Sequence, residues 1–175
     1  MSCIIFSSIH STSSKVDQLA LKIHDIFSKK DIKSTHINIG QLDLPICDGY
    51  SCYSDPKVKT LQEEVSKASG FIFCSPVYCY DVNAICKNLM ELCGQGFKNK
   101  PAGIAVVAGG SKSYMAPLSF INSLMLDFRS LIIPRFIYAT GDDFNTNNQV
   151  CSADIEKRIN QLADAYSKLV SIGPL

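Results

Sequence analysis

The sequence predicts an α/β fold: a three-layer, doubly wound sheet of five parallel strands in the order 2-1-3-4-5. Three observations carry this. Short apolar runs without alternation, as in strands buried on both faces, recur along the chain. Each is followed by a segment of helical period, and such alternation implies right-handed crossovers with helices on both faces. The 175 residues suit a single domain, 1–175, and no repeat or linker divides them.

The elements follow in order. Cys3 to Ser7 is the first strand. A Ser/Thr cluster, Ser7 to Ser14, leads into a helix striped by Val16, Leu19, Ala20, Ile23 and Phe27. Thr35 to Ile39 is a second, weaker strand, and Gln41 to Pro56 reads as a long loop rich in Gly, Pro, Asp and Ser. Val58, Leu61, Val65 and Ala68 mark a second helix, ended by Gly70. Phe71–Cys74 is a third strand, stopped by Ser75-Pro76 because proline removes a ladder donor. Val82 to Cys93 carries a third helical stripe, closed by Gly94 and Gly96. Gly103 to Ala108 is a fourth strand, and Leu118 to Phe128 a fourth helix. Leu131 to Ala139 is the fifth strand, despite Pro134. Ile155, Ile159, Leu162, Tyr166 and Leu169 stripe the last helix, with Ser152 as its N-cap.

Composition excludes several classes. Lys plus Arg is 17 and Asp plus Glu 16, a net charge of +1. That balance lacks the basic excess of a nucleic-acid binder and the charge of a strongly acidic electron carrier. Apolar residues at 46% against 19% charged exclude disorder. No run approaches the ~18 apolar residues that span a bilayer. Eight cysteines are many, but Met1–Phe6 shows no charged leader, so a cytoplasmic protein with reduced thiols is expected. No C-x-x-C clamp is present, so no metal site is expected.

In a sheet of this topology a ligand sits beyond the carboxyl ends of the strands, near the switch between strands 1 and 3. Three loops reach that place. The first, Ser7-Ser8-Ile9-His10-Ser11-Thr12-Ser13-Ser14-Lys15, runs from a buried strand into a helix N-terminus, which favours a phosphate. Five serines and a threonine, Ser8, Ser13 and Ser14 among them, add hydroxyl donors, and His10 and Lys15 add positive charge. Neither G-x-x-x-x-G-K-[ST] nor G-x-G-x-x-G is present. The second loop, Ser75-Pro76-Val77-Tyr78-Cys79-Tyr80, offers a flat aromatic wall for a planar ring. In the third, Gly109-Gly110-Ser111, paired glycines let a ligand approach the backbone, with Tyr114 beyond them. Together they suit a phosphorylated planar cofactor such as flavin mononucleotide (FMN).

The same stretches resemble the NADPH-dependent FMN reductases of flavodoxin-like fold. That family carries G-S-x-R-x-x-S-x-N after its first strand. Here Ser8 and Ser13 match, while Ser7, His10 and Lys15 stand for the glycine, arginine and asparagine. The family's [ST]-P-E-Y-N and following L-K-N resemble Ser75-Pro76-Val77-Tyr78-Cys79 and Cys86-Lys87-Asn88, with Glu91 at an acidic position. Phe97-Lys98-Asn99-Lys100-Pro101 resembles the lead into strand 4.

The resemblance implies an oxidoreductase that passes electrons from NADPH or NADH through FMN to a quinone, a flavin or a similar small acceptor. No side-chain acid or base is required, so no catalytic residue is assigned. Pro76, Val77, Tyr78, Cys79 and Tyr80 would line the flavin ring, Gly109, Gly110 and Ser111 its other edge, and Tyr114 the nicotinamide. A flavodoxin-type carrier and a non-catalytic module of the same fold are the alternatives. Cys86, Met90 and Cys93 widen the apolar side of the third helix, as Met115, Leu118, Met125 and Leu126 do around the fourth. A homodimer or homotetramer is therefore expected, with no nucleic-acid or membrane partner.

Overall fold

A computed structural model describes residues 2–172 of the chain; Met1 and Gly173–Leu175, the ends of the expected 1–175 domain, lie outside the described residues. The strands are β1 (Cys3–Ser7), β2 (Ser34–Asn38), β3 (Gly70–Tyr78), β4 (Asp81–Val82), β5 (Pro101–Val107), β6 (Leu131–Ile132) and β7 (Ile137–Ala139). The helices are α1 (Lys15–Lys29), α2 (Pro56–Lys67), α3 (Ala84–Cys93), α4 (Leu118–Phe128) and α5 (Ala153–Ile172). The parallel order is β2-β1-β3-β5, and β6 and β7 both pair in parallel with β5 at the far edge. This is the expected 2-1-3-4-5 flavodoxin-like topology.

Every residue of β1 is buried, which accounts for its lack of alternation. Ile4 and Phe6 face one layer and Cys3 and Ile5 the other. The first layer holds α2, α3 and α4 around a cluster of phenylalanines. Phe97 stands edge-on to Phe71 and Phe73, with ring centroids 4.8 and 5.2 Å away. The second layer holds α1 and α5 against Ile5, Ile72, Ala105 and Ile137.

Beyond shifts of one or two residues at the ends of β2 and β5, five departures from the sequence expectation stand out. First, β3 does not stop at Ser75-Pro76; it continues to Tyr78, with Pro76 opposite Val107 of β5. Cys74 faces β1, since its carbonyl accepts the Ser8 N–H at 2.9 Å. Pro76, two residues on, turns the same way, but the β1–β3 register has ended at Ser7–Cys74. Its missing N–H therefore forfeits no ladder bond. Second, Gly70 opens β3 instead of ending α2, which closes at Ala68. A Cβ at Gly70 would lie 2.7 Å from the Tyr166 ring and 2.9 Å from the Pro101 carbonyl oxygen, so close packing requires the glycine. Third, the fifth strand is interrupted between β6 and β7 at the segment holding Pro134.

Fourth, Asp81–Val82 forms β4, and α3 begins only at Ala84, after its N-cap Asn83. Fifth, the long loop contains two 3-10 turns, Ile39–Gln41 and Ser51–Ser54, and Pro56 belongs to α2. Asp55 caps that helix by accepting the Lys57 N–H at 2.7 Å, and proline at the first position forfeits only an orphan donor.

Candidate functional site

The three loops meet at the carboxyl end of the sheet because hydrogen bonds tie each to the next. Asn83 Nδ2 donates to the Ser8 carbonyl at 2.5 Å, joining the loop after β1 to the start of α3. Asn83 N–H donates to Ser75 Oγ at 3.1 Å, and its Oδ1 accepts the Cys86 N–H at 3.1 Å. Tyr80 hydroxyl donates to the Lys112 carbonyl, joining the β3–β4 hairpin to the loop after β5. Tyr138 hydroxyl donates to the Gly110 carbonyl and lies 2.9 Å from Ser113 Oγ, which braces that loop from β7.

In the first loop Ser8 is fully buried, and its Oγ donates to the Cys74 carbonyl at 3.2 Å. Its hydroxyl is thus turned onto the sheet. Ser14 is the N-cap of α1, accepting the Asp17 N–H at 3.1 Å. Ser11 and Ser13 are exposed, with their hydroxyls 3.1 Å apart. His10 is exposed; its Nδ1–H donates to the Gly40 carbonyl at 2.8 Å, which leaves Nε2 as the outward nitrogen. Gln41 Nε2 donates to the His10 carbonyl. Lys15 opens α1 and is partly exposed.

A buried polar group lies beneath this loop. Asp17 is 3% exposed; its Oδ1 accepts from the Ser7 hydroxyl at 2.6 Å and from Asn38 Nδ2 at 2.8 Å. His36 Nε2 lies 2.9 Å from Ser7 Oγ and 3.3 Å from Asp17 Oδ1. The Ser7 hydroxyl proton is committed to Asp17, so His36 donates to Ser7. Burial lowers the His36 pKa, and the Asp17 carboxylate opposes this only in part.

The second loop is a two-residue hairpin turn. Val77 pairs with Val82 and Tyr78 with Asp81, leaving Cys79 and Tyr80 at φ 52° and 64°. Two left-handed residues define a type I′ turn, normally the place of Asn-Gly. Tyr78 and Tyr80 project from it, 55% and 61% exposed. The strain therefore presents aromatic side chains at the strand end. In the third loop a Cβ at Gly109 or Gly110 would meet nothing within 4 Å, so the space beside that backbone is open. Ser111 is exposed, and Tyr114, 46% exposed, packs 4.9 Å from Phe136 and 5.3 Å from Tyr138 between ring centroids.

Two concavities lie elsewhere. One of about 840 Å³ follows β2 and α2, and one of about 560 Å³ lies between Tyr53, Gly94 and Phe128. Neither touches the three loops, so the convergence of strand ends, not cavity size, locates this site.

Sequence reasoning missed Asn83, Asp17, His36, Gly40 and Tyr138. An Asn just before an apolar helical stripe is a legible N-cap signal, and Asp17 in a first turn is another. Gly40, Tyr138 and His36 join the site through contacts distant in sequence, which no local pattern encodes.

A parallel sheet with an anion-suited loop, an aromatic hairpin and an open glycine edge at its switch point defines a nucleotide-binding protein of flavodoxin-like fold. The profile of the NADPH-dependent FMN reductases matches residues 1–145, and the chain belongs to that family. An NAD(P)H-dependent FAD/FMN reductase from Geobacillus thermodenitrificans is 26% identical over 151 residues, 85% of this chain and 80% of that protein. An NADPH azoreductase from a Bacillus strain is 28% identical over 101 residues, 57% of each. Two solved structures share the fold at a TM-score of 0.77. An oxidoreductase from Corynebacterium diphtheriae is 19% identical, with 98% of this chain and 97% of that one aligned. An NAD(P)H:(acceptor) oxidoreductase from Paracoccus denitrificans is 17% identical, with 99% and 98% aligned.

Two predictions follow from this geometry. The folded chain holds His36 below its ordinary pKa, whereas the unfolded chain takes the proton near pH ~6.5. This contribution to stability is complete above ~6.5 and is lost as pH falls through the folded-state value. His36→Gln should flatten that part of the stability profile in denaturant melts between pH 5 and 8. Separately, Cys79→Asn should relieve turn strain and raise stability by ~1 kcal/mol, read as a higher urea midpoint.

Proposed function

We propose that FMN lies across the three loops, with its phosphate at the first and its ring between the second and third. The observation that carries this reading is the junction at one strand end of a helix N-terminus fronted by the solvent-facing hydroxyls of Ser11 and Ser13 and a hairpin that spends backbone strain on exposed tyrosines. Ser13, with its neighbour Ser11, His10 Nε2, Lys15 and the amide groups ahead of α1 hold the phosphate. Ser14 enters as the cap that orients those amides, and Ser8 through its backbone position. Pro76, Val77, Tyr78, Cys79 and Tyr80 flank the ring; Gly109, Gly110 and Ser111 border its other edge; Tyr114 stands where a nicotinamide stacks. The hydroxyl and amide donors suit a phosphate, and the aromatic and glycine surfaces suit a planar ring.

When bound, FMN supplies the redox chemistry, accepting a hydride from NAD(P)H and releasing electrons to an acceptor. The chain itself orients: the Asn83 bonds hold the first loop against the second, and the Tyr80–Lys112 bond holds the second against the third. The acceptor is a small planar oxidant such as a quinone, a free flavin or an azo compound. The breadth of named activities among relatives supports this class without selecting one member. Residues 1–175 form one domain that works as a homodimer or homotetramer in a reducing, cytoplasmic compartment. All eight cysteines are free, and among the described residues no helix is long and apolar enough to cross a membrane.

Cys86, Met90 and Cys93, which widen the apolar side of α3, are buried in the chain's own core. The excess on α4 is real: Leu126 is 81% exposed, beside exposed Met125, with Met115 and Leu118 at the preceding turn. A second copy covers this face in a two-fold dimer.

Three experiments test these readings. Mixed with FMN, the apoprotein should turn yellow and bleach anaerobically on addition of NADPH. Replacing Ser11 and Ser13 together by alanine should weaken FMN binding tenfold or more, at ~1.5–3 kcal/mol for each charge-assisted bond. Unchanged affinity in a fluorescence titration removes the hydroxyls from the site. In light scattering, Leu126→Lys should reduce a multimer toward the monomer mass of 19.2 kDa. A wild-type chain that is already monomeric and fully active overturns the assembly.

A further inference from the structure

The segment between β2 and α2 brings two cysteines together. Cys47 and Cys52 are separated by four residues, and their sulfurs lie 3.9 Å apart. Side-chain rotation of ~2 Å closes that gap to a disulfide bond of about 2.05 Å. The turn between them is already built. The Asp48 carboxylate accepts the Tyr50 N–H at 2.9 Å, the Cys52 N–H at 3.0 Å and the Ser51 hydroxyl. Gly49 takes the left-handed φ of 74° that reverses the chain. On the other side, Cys47 N–H donates to Asn88 Oδ1 at 2.8 Å, and Asn88 Nδ2 donates to the Pro45 carbonyl at 3.0 Å, which pins this segment to α3. Folding has thus already met the entropy of bringing the two thiols together.

The two sulfurs are unequal. Cys47 is partly exposed, and the Tyr53 hydroxyl lies 3.5 Å from its sulfur. That hydroxyl is pushed up to about 12, first by its contact with Cys47, so it keeps its proton, which it donates to the Glu91 carbonyl at 3.4 Å. Cys52 is only 4% exposed, and its thiol is raised by burial and then by the Asp48 carboxylate. Other thiols differ from this pair. Burial pushes Cys3, Cys86 and Cys93 up to about 12, which makes them inert, and Cys79 and Cys151 are exposed on separate loops.

We propose that Cys47 and Cys52 form a redox-active dithiol that reduces low-molecular-weight disulfides and closes into an intramolecular disulfide. Cys47, as thiolate, attacks one sulfur of the external disulfide. A mixed disulfide forms, the external S–S bond breaks, and one thiolate leaves and takes a proton from water. Cys52 then loses its proton to water and attacks Cys47 Sγ. The protein S–S bond forms, the mixed disulfide breaks, and the second thiolate leaves. Two protein thiols are oxidised by two electrons, and one external disulfide becomes two thiols. None of this requires flavin, so the proposal stands or falls apart from the preceding one.

The test places the full-length protein in glutathione buffers of increasing oxidised fraction, quenches with a thiol-alkylating reagent and maps the peptides by mass. Cys47 and Cys52 should lose alkylation together, in a peptide lighter by two hydrogens, at ratios where Cys79 and Cys151 are still alkylated. Cys52→Ser should trap glutathione on Cys47, whereas Cys47→Ser should leave Cys52 unmodified. If the wild-type protein keeps both thiols alkylated while Cys79 or Cys151 carries glutathione, the pair is not redox-active. That arm uses no substitution, so a variant that fails to fold does not decide the outcome.

Discussion

Asn83 is the constraint on which the ligand end of this protein depends. It is 5% exposed and uses its amide in both directions, donating to the Ser8 carbonyl and accepting from Cys86 N–H and Ser75 Oγ. Three segments far apart in sequence are fixed by one side chain: the loop after β1, the end of β3 and the first turn of α3. Each such bond contributes ~1 kcal/mol net, but a buried partner left unpaired costs ~1–3 kcal/mol. The network therefore acts less as added stability than as a penalty on every other arrangement of the loops. Cys86 belongs to the same pocket. Burial pushes its thiol up to about 12, against the opposing influence of the Ser8 and Ser75 hydroxyls, so it packs as a small neutral hydrophobe.

Around that hub the sheet makes room for the site by running its strands to different lengths. β3 has nine residues where β1 has five, and the extra length emerges at the ligand end. Pro76 lies in the overhang, where one ladder partner is already gone. The β3–β4 turn then tips Tyr78 and Tyr80 outward. The same edge positions that release the backbone from pairing leave it open, so local strain and exposure occupy the same few residues.

The polar layer under the phosphate-suited loop is a second organising feature. Asp17, Ser7, Asn38 and a neutral His36 satisfy one another in the space between α1 and the ends of β1 and β2. A buried carboxylate is unfavourable unless its charge is absorbed by donors. Here the Ser7 hydroxyl and the Asn38 amide donate to it, and the His36 N–H donates in turn to the Ser7 oxygen.

Much of this was legible in the residues. The buried strands and the amphipathic helices follow from hydrophobic period, a local property, and five alternating strands in a chain of this length favour the order observed. The Ser-rich loop, the Pro-Val-Tyr hairpin and the Gly-Gly edge could be assigned to one end of the sheet, because parallel topology sends every strand's carboxyl end the same way. Tertiary structure alone decided the rest. Pro76 stays in its strand because its neighbour has ended, the Ser8 hydroxyl turns inward because a carbonyl on β3 waits for it, and the apolar excess on α3 vanishes into the core while that on α4 does not. Cys47 and Cys52 come into contact because Asp48 and Asn88 hold their turn closed. Each outcome turns on a partner supplied by another part of the chain, and a side chain's partner across space leaves no periodic trace in its own sequence neighbourhood.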